Sequence, residues 1–87
     1  METIDFLQLK KDKKISESEY KALSWLGFCK WQYDLAKEEK YYWLAQAYSN
    51  TCLDIMKIDP QLIWNISDGN YKGLQNFNRI ASFETIA

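Results

Sequence analysis

Histidine and valine are absent from this 87-residue chain, arginine and proline occur once each, and glycine three times. Each gap excludes something. Without histidine the chain lacks the usual general base near neutral pH and the commonest metal ligand. Without valine, and with threonine only at Thr3, Thr51 and Thr85, β-branched content rests on eight isoleucines, which disfavours an all-β fold. So few glycines and prolines leave little punctuation for many short strands. A single arginine against ten lysines removes the bidentate readers of phosphate and guanine. Eleven basic and twelve acidic side chains give a net charge of −1, not the basic excess on which nucleic-acid modules depend. No apolar run approaches the ~20 residues of a membrane span. The start, METIDFLQLKK, puts acids first with no long apolar region behind them, unlike a secretory signal. The expectation is a single soluble cytoplasmic domain.

Large apolar residues, by contrast, are plentiful, and their spacing is helical. Thr3 or Asp5 can cap a short first helix containing Ile4, Phe6, Leu7 and Leu9, and Lys10 to Lys14 read as a polar turn. Ile15-Ser16-Glu17-Ser18-Glu19-Tyr20 then carries a capping box on Ser16 and Glu19, with Ile15 and Tyr20 as a hydrophobic staple. In the helix that follows, Ala22, Trp25, Leu26, Cys29, Tyr33 and Ala36 share one face, while Tyr20, Phe28, Trp31 and Leu35 share roughly the opposite one. Such a helix is either sandwiched between others or keeps one face for a partner. A second long helix is expected from Glu38 to Lys57, with Tyr41, Leu44, Ala45, Tyr48, Cys52, Ile55 and Met56 in one stripe. The stripe changes phase near Lys37–Lys40, which argues for a turn there; a single bent helix is the alternative. Asp59-Pro60 starts a short helix over QLIWNIS, although Asp68-Gly69 is also a hairpin signal. A final helix is expected from Tyr71 to Phe83. The stretch Leu9–Leu23, LKKDKKISESEYKAL, resembles the helix–turn–helix of small SHOCT-type oligomerisation domains, which implies that local shape and no specific function. The expected fold is all-α: a small bundle of four to five helices built on a long antiparallel helical hairpin.

Motifs for chemistry are missing. There is no glycine-rich phosphate loop, nucleophile elbow or calcium loop. Two cysteines do not build a structural zinc site, and Cys29 and Cys52 fall on apolar stripes, as buried thiols would. Glu17, Glu19, Glu38 and Glu39 suit the first turns of helices, where the dipole favours anions. No catalytic residue, cofactor or metal is therefore expected. Asn65-Ile66-Ser67 matches the N-glycosylation pattern and is read as chance.

What calls for explanation is the aromatic surplus. Phe28, Trp31, Tyr42 and Trp43 lie off the main stripes, and residues of these types are enriched at interfaces. They form the expected partner-binding set. The expected function is a non-enzymatic protein-interaction module, a small inhibitor, adaptor or assembly subunit, with self-association into a homodimer included. The composition, rich in Lys, Asn, Ile and Tyr, is of the kind compact phage and mobile-element genomes encode, so a host or defence-system protein is one expected partner. The alternative is a small helical nucleic-acid-binding regulator using Lys10, Lys11, Lys13 and Lys14.

Overall fold

The computed structural model describes residues 2–75, and in these the chain is mostly α-helical. Four helices follow a short strand β1 (Ile4–Asp5): α1 (Phe6–Lys11), α2 (Glu17–Ala36), α3 (Glu39–Asn50) and α4 (Pro60–Asp68), before a second strand β2 (Tyr71–Lys72). The local chemistry explains the boundaries. Asp5 caps α1 by accepting from the Gln8 amide. At α2 the capping box is complete: Ser16 Oγ accepts from the Glu19 amide at 3.1 Å and Glu19 Oε1 accepts from the Ser16 amide at 2.7 Å. Asp59 caps α4, with Pro60 supplying its first turn. Gly69, at φ 79°, ends α4 in the left-handed region, so Asp68-Gly69 is a helix stop and not a hairpin turn.

Two elements differ from the sequence expectation. Tyr71 and Lys72, assigned to a last helix, instead pair in parallel with Ile4 and Asp5. The remainder of that expected helix lies outside the described residues. The pairing is held by Asn65, whose buried amide donates to the carbonyls of Glu2 (2.9 Å) and Asn70 (3.0 Å) and accepts from Gln61 (2.7 Å). Its side chain is thus fully engaged, which explains why the Asn65-Ile66-Ser67 pattern is not an exposed glycosylation loop. The second difference is at the end of α3. The helix widens into a π-helical turn over Thr51–Ile55, with Thr51 Oγ1 bonding back to the Ala47 carbonyl. The wider turn rotates Ile55 off the apolar stripe, leaving it 75% exposed, while Cys52 stays buried.

The helices also differ in how much of each is covered. From Ala22 to Cys29 every residue of α2 is buried. Leu26 and Cys29 face α3, with which α2 makes its most extensive contact. Another side lies under the β2 segment, where Tyr71 and Leu74 approach Gly27 closely. Tyr20 Oη donates to the Gly73 carbonyl at 2.6 Å, and Ser24 Oγ accepts from the Gln75 amide at 3.0 Å, fastening that segment down. Phe6, Leu23 and Ile66 are essentially inaccessible and anchor α1, α2 and α4 in one core. Each such burial is worth roughly 1.5–3 kcal/mol. The chain breaks at Lys37, in the left-handed conformation (φ 56°), with its amide closing on the Tyr33 carbonyl at 2.7 Å. The phase change near Lys37–Lys40 is therefore a real turn, and the bent single helix does not form.

Candidate interaction surface

The four aromatic side chains singled out in the sequence are not one patch. Phe28 is 5% exposed, with its ring edge-on to Trp25 at 5.7 Å and tilted against Trp31 at 6.1 Å. It is a core residue and presents nothing to a partner, because α2 is covered on the side where Phe28 lies. Trp31 is 44%, Tyr42 42% and Trp43 61% exposed. Tyr42 joins two neighbours into a chain of rings: Tyr33 from α2 at 5.6 Å and Trp43 at 5.1 Å. This chain runs from between α2 and α3 to the outer side of α3. Trp31 stands apart from it, farther round α2.

Two clefts flank the exposed end of α2. The narrower one, about 130 Å3, lies between α2, α3 and the end of α4. Leu26 and Ala45 belong to its apolar lining, and Tyr33, Tyr42, Gln46 and Ser67 add polar tips. That size approaches the ~150 Å3 of an apolar cavity that holds one benzene ring. The wider one, about 400 Å3, lies between Trp31, Asp34, Tyr71 and the end of α4. Lys30 touches both, and its ammonium holds both oxygens of Asp34, at 2.8 and 2.9 Å. The Tyr71 hydroxyl in the wider cleft is raised in pKa, first by burial and then by Asp34, with Lys30 opposing. Tyr71 thus stays neutral at physiological pH.

Of the lysines from Lys10 to Lys14, Lys10 alone has an ion pair and a ring contact, and the two cysteines are buried. Lys10 pairs with Glu17 at 3.2 Å and sits over the Tyr20 ring at 4.6 Å. Lys11, Lys13 and Lys14 are exposed, with Lys13 at φ 58° forming the turn before α2. Cys29 and Cys52 are free and buried, and burial pushes each thiol up to about 11; at Cys52 the Glu19 carboxylate adds to the effect. Thiols held so far above neutral pH are poor nucleophiles. Among the described residues no group of three carboxylate or cysteine side chains is placed to hold a metal ion. No helix among them is long and apolar enough to cross a membrane.

Sequence reasoning missed some exposed members. Leu35 is placed on the second apolar face of α2, yet it lies beyond the covering segment and is solvent-exposed. Trp64 is also exposed, on the outer side of α4. Tyr33 was assigned to the core stripe, but its ring is half-buried and extends the surface through Tyr42. Its position was readable, because Tyr33 and Tyr42 are equally spaced about the turn at Lys37–Glu38. No family model, curated protein or solved structure matches the chain.

Proposed function

We propose that this chain is a non-enzymatic protein-interaction module: a small inhibitor, adaptor or assembly subunit of the cytoplasm. In this reading α2 and α3 form a long antiparallel hairpin that presents Tyr42 and Trp43, with Trp31 on an adjoining face. The observation that carries it is the ring chain Tyr33–Tyr42–Trp43, which continues from an apolar cleft onto open surface. Tyrosine and tryptophan in such a setting are the side chains most often found to dominate binding energy. The hairpin is supported by residues equidistant from the Lys37–Glu38 turn meeting across the cleft, such as Lys30 with Ala45 and Tyr33 with Tyr42. The reduced, buried cysteines fit a reducing compartment.

Affinity capture of the tagged chain, combined with a solution mass measurement, tests the proposal. Trp43→Ala is expected to abolish association, with self or with another protein, while far-ultraviolet circular dichroism stays unchanged. A monomer that captures nothing, or one whose capture ignores both Trp31→Ala and Trp43→Ala, overturns it.

A further inference from the structure

We infer that the partner of the outer α3 face is a second copy of this chain, docked antiparallel about a twofold axis at Ala47. This rests on the reading of Trp43 as part of an interaction surface and names what covers it. Lys40, Trp43, Ala47, Asn50 and Asp54 are all exposed. Lys40, Trp43, Ala47 and Asn50 recur at three- and four-residue spacing along one seam of α3, and Asp54 is exposed just beyond them in the π-helical turn. The seam has a basic end, a small centre and an acidic end. Lys40 and Asp54 are each seven residues from Ala47, one on either side.

An antiparallel copy therefore sets each Lys40 against the other copy's Asp54, forming two ion pairs. A parallel copy sets lysine against lysine and aspartate against aspartate. Ala47 is the smallest side chain on the seam and permits close approach of the axes, so that each Trp43 lies over the other copy's Asn50. Both charged ends are exposed, so they can re-pair. Lys40 holds an exposed Glu38 at 3.5 Å and lies 5.0 Å from the centre of the Tyr41 ring, both weak contacts at the surface, and Asp54 makes no ion pair among the described residues. A seam about 22 Å long at 1.5 Å per residue gives an interface at the small end of the range, below about 1,200 Å2. The dimer is accordingly a weak one, formed at micromolar concentrations.

Sedimentation equilibrium of the full chain from micromolar to millimolar concentration is the test. The wild type is expected to pass from monomer to dimer. Lys40→Glu and Asp54→Lys are each expected to weaken the dimer about tenfold, and more at low salt than at high. The double variant Lys40→Glu/Asp54→Lys restores it, since the pairs re-form with their signs exchanged. Under oxidation Ala47→Cys is expected to cross-link to its own copy, because a residue on the axis meets itself, whereas Glu39→Cys does not. Single reversals without effect, a double variant no better than the singles, or a monomer throughout overturns the inference. A monomer that still loses a foreign partner on Trp43→Ala overturns only this inference and leaves the interaction-module reading standing.

Discussion

The middle of α2 and the outer half of α3 carry aromatic residues of similar kind and density, yet they treat them oppositely. On α2, Trp25 and Phe28 are buried and pack edge to face, because α3, α4 and the β2 segment cover the helix from several sides. On α3 the core touches one side only, through Tyr41 and Ala45, and Tyr42 and Trp43 remain in solvent. An off-stripe aromatic is thus core where several elements cover its stretch of helix, as at Phe28, and surface where they do not, as at Trp31 farther along α2 and at Tyr42 and Trp43 on α3. Periodicity along a single helix does not contain that difference. It depends on how many other elements the chain can bring to bear.

The sharpest test of the contrast replaces the two residues in turn. Phe28→Ala is expected to cost about 4 kcal/mol, in the range for large-to-small changes at buried aromatic sites. For a small domain, that is most of the available stability. Trp43→Ala is expected to change stability by less than about 0.5 kcal/mol, as surface substitutions do. Chemical denaturation of both variants measures the two values, and comparable losses would erase the distinction between the helices.

The next largest effect concerns what covers α2. Gly73 sits at φ 82° beside the first strand, and an added Cβ would lie 2.5 Å from Asp5 Oδ1 and 2.7 Å from the Leu7 nitrogen. Gly73→Ala therefore combines left-handed strain with a clash against backbone, for an expected loss of about 3 kcal/mol. It should also expose the second side of α2, raising Trp25 and Trp31 accessibility to a fluorescence quencher while leaving Trp43 as it was. Equal changes at all tryptophans would mean that the β2 segment does not serve α2 in particular.

Most of the helical framework was legible, because its signals are local. Ser16 and Glu19 fix the start of α2 by side-chain bonds within one turn, and Asp59-Pro60 starts α4 in the same way, whereas Asp68-Gly69, which ends α4, also read as a hairpin turn. The turn after Ala36 was readable from the jump in apolar phase, even though AKEEK contains no helix breaker. What stayed hidden depends on distant partners. Tyr71 and Lys72 become a strand only because Ile4 and Asp5 lie alongside, across nearly the whole described chain. The π-helical turn at Thr51–Ile55 is a backbone event that shifts Ile55 by its extra residue per turn, and no residue pattern announced it. Of the candidate surface, Trp31, Tyr42 and Trp43 were visible as misfits to the stripes. Phe28 looked the same from sequence and differs only in what lies over it.

The smallest expected effect lies at the joint between the two contrasted helices. Lys13, Lys37 and Lys57 all adopt the left-handed conformation, at φ 58°, 56° and 58°, where a side chain costs ~1–2 kcal/mol that glycine avoids. Glycine returns part of this through the greater entropy of its unfolded chain, roughly 0.5–1 kcal/mol. Replacement by glycine should therefore stabilise the fold by somewhat under ~1 kcal/mol at Lys13 and Lys57. At Lys37 the gain should be smaller, because its ammonium lies 5.4 Å above the Tyr33 ring and an exposed cation–π contact of ~0.5 kcal/mol is lost with it. The expected order in melting temperature is Lys13→Gly and Lys57→Gly above Lys37→Gly, with all three at or above wild type and separated by a few degrees at most, as ~4–8 °C per kcal/mol implies for a domain of this size. If Lys37→Gly instead lowers the melting temperature, the Lys37–Tyr33 contact outweighs the strain. The joint would then be held by the ring chain itself, which would tie the turn between α2 and α3 directly to the exposed aromatic surface.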